Sequence, residues 1–262
     1  MNTQKISTFF RHTGTIASLV AAATVATGFM APSASATLLV PETEGEVFLS
    51  NDGFECLQGN NSSTCLTLSG ISIFSQVDSS TDTRSRLFVD KSGTLNTYGA
   101  VQFLPSDGGT PQEGYWFRPA AMMAAEDTTN SEAVGTQPLL ESGQLEVGTF
   151  DIFFDETIES LTVRWFDTEY EGNTSFFVDG VFDDVSGVVP AGPDMNIYEQ
   201  TFTNVNMLTL DLGERGGFMG TGDGVDFQLE KEGIPEPATT LGLGALGLMG
   251  ALGLRKRNKN LS

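Results

Sequence analysis

Histidine is all but missing from this 262-residue sequence: its one copy, His12, lies near the N-terminus. Everything after residue 12 is histidine-free, which excludes Ser-His-Asp and Cys-His catalysis and every histidine-ligated metal site there. Cysteine is nearly as scarce. Cys56 and Cys65 are the whole complement, too few for a tetrahedral zinc site without histidine. Positive charge is scarce too, with 13 Lys and Arg against 34 Asp and Glu. Six of those basic residues sit at the two ends, so residues 37–234 keep seven basic and 33 acidic residues, a formal charge of −26. Such a surface repels nucleic acid and anionic lipid and attracts divalent cations or cationic partners. No long stretch with a helical period of apolar residues occurs between the ends.

The ends are unlike the middle. At the N-terminus, Lys5 and Arg11 precede an uncharged, mostly apolar run from Gly14 to Met30, and Ala34-Ser35-Ala36 follows. A positive segment, an apolar core and an A-x-A site in that order predict a secretory signal peptide over residues 1–36, cleaved after Ala36. In a chain exported this way, two cysteines with eight residues between them are most simply a disulfide. Closing a loop of about ten residues contributes on the order of 2.7 kcal/mol in the chain-entropy account.

At the other end stands "PEPATTLGLGALGLMGALGLRKR", residues 235–257. The uncharged run 238–254 would span roughly 25 Å as a helix, the short end of a bilayer core. Its five glycines would weaken a helix in water but are tolerated in membrane helices. Arg255, Lys256 and Arg257 then hold that end on the cytoplasmic side. Pro235 and Pro237 keep the chain extended just before the span, presenting the tripeptide at the membrane surface. The expected organisation is a signal peptide (1–36), an ectodomain (37–230), a short charged linker (231–234) and a C-terminal anchor segment (235–262).

Pro235-Glu236-Pro237, the apolar run and the basic cluster resemble the PEP-CTERM sorting signal. The resemblance covers about 28 residues at the proper C-terminal place. It implies recognition at the tripeptide by exosortase, a membrane-embedded cysteine protease that removes the anchor. It also implies an exported protein of a Gram-negative-type bacterium that makes exopolysaccharide, with the export translocon and signal peptidase as earlier partners. The localisation expected is a membrane-anchored intermediate and then the cell surface or the extracellular, biofilm-type matrix. A second stretch, "QLEVGTFDIFFDETIESLTVRWFDTE", is similar to a segment of a PEP-CTERM subgroup marked by Leu-Glu-Val-Gly, here Leu145 to Gly148. No biochemical activity follows from that similarity.

Between the ends, short apolar runs alternate with period two. Phe150, Ile152 and Phe154 alternate with Asp151 and Asp155; Leu161, Val163 and Trp165 with Thr162 and Arg164; Val225, Phe227 and Leu229 with Asp226, Gln228 and Glu230. That is how strands read when one face is buried and the other wet. Further strands are expected at 46–50, 65–76, 84–90, 98–104, 115–119, 174–180 and 198–212, with Gly, Asn, Asp, Ser and Pro between them. Many strands without helices predict an all-β, antiparallel, jelly-roll-like sandwich. Two segments read differently: 119–134 as a short helix or long loop, and 185–196 as a flexible connection.

Three chemistries are open to such a body. Acidic loops offer oxygen ligands for calcium, at Asp167, Glu169 and Glu171 in "DTEYEGN", at Asp223 and Asp226 in "TGDGVD", and at Asp183 and Asp184. None matches an EF-hand, and the alternative is that they are solvated turn residues. Lectin-like carbohydrate binding would draw on Tyr115, Trp116, Trp165 and Tyr170, although Trp165 alternates with core residues. Glycan cleavage needs only two carboxylates, but nothing singles out a pair. The expectation is a non-enzymatic surface or matrix protein.

Overall fold

The structure, a computed structural model, describes residues 36–51, 55–57, 59, 64–105, 113–124, 134–140, 145–180, 184–216 and 224–233. The expected signal peptide, Ala36 apart, and the apolar span 238–254 therefore lie outside the described residues. Among those described, every regular element is a strand.

Two long strands organise the rest: β9 (Gly148–Phe166) and β12 (Ile197–Leu212). They pair antiparallel from Gly148↔Leu212 to Phe166↔Ile197, with a register shift between Val205 and Met207. Strand β9 then serves two partners on its other edge. Its first half takes β3 (Ile71–Asp78), and its second half takes β13 (Asp226–Lys231). β13 continues to β7 (Trp116–Ala124), β7 to β4 (Thr83–Asp90), and β4 back to β3 through a hairpin. The sheet thus closes a ring around its core, while β12 leads outward to β10 (Ser175–Gly180) and β11 (Val185–Val188). Short strands β1 (Thr37–Leu38) and β2 (Gly45–Glu46) pair with β13 and β4. β8 (Val134–Pro138) pairs with β7.

The antiparallel class and the alternation agree. Phe150, Ile152, Leu161, Val163, Trp165, Leu208, Leu210, Phe227 and Leu229 all lie in the main apolar core. Aromatic rings fill its centre, with Phe117 against Phe227 at 5.0 Å and Trp165 against Phe176 at 5.9 Å. A second layer covers the outer side of β4 and β7. There the hairpin of β5 (Asn96–Tyr98) and β6 (Val101–Phe103) buries Phe88, Tyr98, Val101, Phe103, Ala120 and Met122. The Cys56–Cys65 disulfide forms beside this layer, with Cα atoms 5.7 Å apart, and Leu57 packs into it.

Several expectations need correction. The strand expected at 46–50 forms only at Glu46, in β2, and that expected at 98–104 is broken by a turn at Gly99, φ 58°, between β5 and β6. The start of 119–134 is neither helix nor loop: β7 runs on through Pro119 to Ala124, with Leu87↔Pro119 in register on β4. Small residues suit that stretch because the hairpin lies on top of it, and Ala121 also bonds Leu139 and Leu145 through its main chain. The connection 185–196 begins with strand β11, which pairs along β10. Gly187 permits this, because a Cβ there would stand 2.8 Å from the Phe176 ring. The run 65–76 is strand only from Ile71, after a turn at Gly70 with φ 75°.

Candidate functional site

At one end of β9 and β12, two loops are tied together by their own backbone. Asp167 takes a left-handed conformation, φ 67°, immediately after β9, and Met195 does so at φ 61° just before β12. Asp167 N–H donates to the Asn196 carbonyl at 2.9 Å, and Met195 N–H donates to Asp167 Oδ1 at 2.7 Å. Gly192 N–H donates to the Thr168 carbonyl at 2.7 Å. Buried Thr168 completes the junction by donating to the Pro190 carbonyl and accepting from the Asn196 amide.

This places oxygens of Asp167, Glu169 and Asp194 within 4.8 Å of one another. Burial, opposed by the Met195 N–H and reinforced by Asp194, pushes the Asp167 carboxyl up. Glu169 is pushed up by partial burial and then by the charges of Asp167 and Asp194. Like charges held this close favour a cation or a proton between them. Calcium takes six to eight hard oxygens, with water or main chain filling what carboxylates leave open. The trio fits part of such a shell.

Of the residues named from sequence, Asp167 and Glu169 are here, and Glu171 stands outside the trio. Asp194 was missed because a loop contact across 27 positions leaves no local pattern. Asp184 is exposed elsewhere, and Asp183 and Asp223 lie outside the described residues. Asp226 is buried on β13, 3.5 Å from Arg118 Nε, so it serves an internal ion pair rather than a surface loop.

That ion pair belongs to a network sequence reasoning did not anticipate. Arg118, on β7, is fully buried and is bound by Asp90 at 3.1 Å and by Glu146, as well as by Asp226. Its guanidinium lies over the Phe103 ring at 4.6 Å. Asn96 donates to Asp90 at 2.6 Å. Burial pushes the Asp90 carboxyl up against the pull of Arg118. Beside it, buried Arg86 pairs with Glu46, and Glu46 accepts the Leu57 N–H at 2.6 Å. Burial pushes Glu46 up as well. Arg86, Phe88 and Asp90 share one face of β4, a charge–aromatic–charge alternation that was the available signal.

The Leu145–Gly148 stretch has a structural reading in the same place. Leu145 and Val147 join an apolar cluster with Ala121, Glu146 binds Arg118, and Gly148 lies against Ser85, where a Cβ would sit 2.6 Å from that side chain. Of the four ring residues proposed for sugars, Trp116 and Trp165 are buried. Tyr115 is half-buried under Lys91. Tyr170 is 52% exposed, three residues after Asp167. The cleavage residues Ala34 and Ala36 belong to the N-terminal segment, of which Ala34 is outside the described residues. Pro235, Glu236, Pro237, Arg255, Lys256 and Arg257 are outside them too.

No curated protein matches the sequence. Among the similar solved structures are two mutants of CBM29-2, of the family 29 carbohydrate binding modules. An aspartate-to-alanine mutant is 10% identical with TM-score 0.22, covering 76% of this chain and 83% of its own. A lysine-to-alanine mutant is 12% identical with TM-score 0.23, covering 72% and 89%. The sequence model of the PEP-CTERM protein-sorting motif matches residues 233–257. The chain therefore carries a PEP-CTERM protein-sorting motif at its C-terminal end, which indicates an exported protein sorted at that end and implies processing by exosortase.

Proposed function

We propose that this chain is a non-enzymatic protein of the cell surface or the extracellular polysaccharide matrix, held briefly in the membrane by residues 238–254 and released from that anchor by exosortase. The motif at residues 233–257 carries this reading. It begins two residues after β13 ends at Lys231, so only three residues separate the last strand from the tripeptide. Replacing Pro235, Glu236 and Pro237 together by alanine is expected to trap a full-length, membrane-bound form. Mass spectrometry finding the same mature C-terminus in variant and native protein would remove the sorting reading.

The carboxylates support a non-catalytic body. Asp90, Glu146 and Asp226 are sealed in and committed to Arg118. The other close group, Asp167, Glu169 and Asp194, brings one oxygen from each within 4.8 Å of the others, an arrangement suited to holding a cation.

The same trio favours calcium as a surface ligand, through which an acidic matrix protein would be cross-linked. Millimolar calcium is expected to raise the melting temperature, and Asp167→Asn with Asp194→Asn to abolish the rise. An equal rise in the double variant would assign the effect to general screening and reject the site.

A further inference from the structure

The outward face of β3, β9, β12 and β10 is a second candidate surface, separate from the loop trio. Register alone composes it. One row across the strands reads Phe74, Asp151, Thr209, Phe177, Ser186; the row on one side reads Gln76, Thr149, Asp211, Ser175, Val188; the row on the other reads Ser72, Phe153, Met207, Asp179. Their immediate neighbours in the chain, such as Ile73, Ile152, Leu208 and Val178, point into the core.

Three phenyl rings lie on this wet face. Phe153 is 40% and Phe177 36% exposed. Half-buried Phe74 props Phe153 edge to face, with centroids 5.6 Å apart. Phe74 and Phe177 are three strand spacings apart, about 14 Å. Between them stands Asp151, which is not a loose surface carboxylate. Gln76 Nε2 donates to its Oδ2 and Thr209 Oγ1 to its Oδ1, each at 2.7 Å. A carboxylate so fixed still has acceptor capacity on both oxygens. Exposed apolar rings rimmed by ordered polar groups mark interaction surfaces.

The chemistry selects the occupant. These three rows present the carboxylates of Asp151, Asp179 and Asp211 and no lysine or arginine; Arg164, farther along β9, is paired with Glu199. The face therefore repels uronate or sulfate polymers, and it repels a second copy of this acidic chain. What fits is a flat, uncharged ligand with apolar C–H faces to stack on rings and hydroxyl donors to meet acceptors. We infer that this sheet face binds a neutral polysaccharide chain laid across the strands, with Phe153 and Phe177 as stacking platforms and Asp151 as the central hydrogen-bond acceptor.

Affinity electrophoresis of the full chain in detergent tests this, using gels cast with mixed-linkage β-glucan, galactomannan, hydroxyethylcellulose, or the producing cell's own neutral matrix polysaccharide. Retardation is expected in at least one and should persist at high salt, since no net charge is paired. Phe153→Ala with Phe177→Ala should weaken it at least tenfold, and Asp151→Asn should weaken it less. Tyr170→Ala, on the loop, should leave it unchanged. A thermal melt confirms that each variant is folded, and exposed positions favour that. No retardation on any of these gels overturns the inference, as does retention equal in the double-alanine variant. A control gel cast with cationic chitosan guards against bulk acidity: retention there alone, lost with salt, also overturns the inference. None of these failures touches the sorting motif, which is read separately from the mature C-terminus.

Discussion

Arg118 shows how little a single residue's type reveals without its partners. In the sequence it is one of seven basic residues in an acidic body and looks like a solvated strand position. In the fold it is wholly buried and carries the balancing charge for Asp90, Glu146 and Asp226. Removing one partner of a buried ionic cluster costs far more than the cluster contributes, because the remaining charges stay desolvated. Arg118→Met is therefore expected to destabilise the body by about 3–5 kcal/mol in urea unfolding. Arg118→Lys should recover only part of this, since an ammonium cannot present the planar fork that reaches several carboxylates. A variant with Met at 118 and native stability would show that the three carboxylates have another counter-charge. The failure of Asp226 as a calcium candidate has the same origin: a carboxylate after a glycine turn is written identically whether it faces water or an arginine on the neighbouring strand. The cysteines, by contrast, were legible, because few cysteines and an export signal leave few pairings.

The strands divide by how their partners meet them. β9, β12 and β10 were visible as alternation because each has one core face and one wet face; β13 alternates too, but its polar positions Asp226 and Gln228 are buried under a second layer. The second half of β7 was not, since it is buried on both faces once the β5–β6 hairpin covers it, and its "PAAMMAA" run loses the period-two contrast. β11 was hidden for the opposite reason: as an edge strand it is mostly exposed, and its sequence has glycine and proline at hand. Its pairing depends on Gly187, which leaves room for the Phe176 ring. Gly187→Val is expected to cost about 1–3 kcal/mol, the usual range for overpacking, and to release β11 from β10. Hydrogen exchange localises the loss: faster exchange at 185–188 with β9 and β12 unchanged is the expected pattern. Unaltered protection along β11 would mean that Phe176 gives way at no cost. The ring closure of β13 onto β9 left no sequence signal, because pairing partners far apart in the chain are chosen by packing.

Taken as a whole, the body accumulates negative charge and then buries some of it. The carboxyls of Glu46, Asp90, Asp167, Glu169 and Asp211 are all pushed up, with burial the leading cause in each. Thr149 adds a further sign of the strain: it lies 2.9 Å from Asp211 and 3.3 Å from Asp78, but its single hydroxyl proton can serve only one of them. A raised folded pKa means that the folded state holds the proton more tightly than the unfolded chain does. Stability from these groups is fully present below their unfolded values, about 4, and is lost as pH rises through the raised ones. Glu169 is the least enclosed of these groups and contributes least. Acidification also relieves the self-repulsion of a body at −26, so both effects have the same sign. The melting temperature is expected to rise as pH falls from 8 toward 5, the reverse of a protein held together by depressed carboxylates. In a chain of this size, each gain of about 1 kcal/mol moves the midpoint by roughly 2–4 °C. Salt separates the two causes. High ionic strength at pH 8 screens the surface repulsion but reaches the buried groups much less, so a rise on acidification that survives in high salt belongs to the buried carboxyls. A melting temperature that falls steadily between pH 8 and 5 would mean that the arginine pairs outweigh burial at Glu46 and Asp90, and the sign assigned to this acidic body would be reversed.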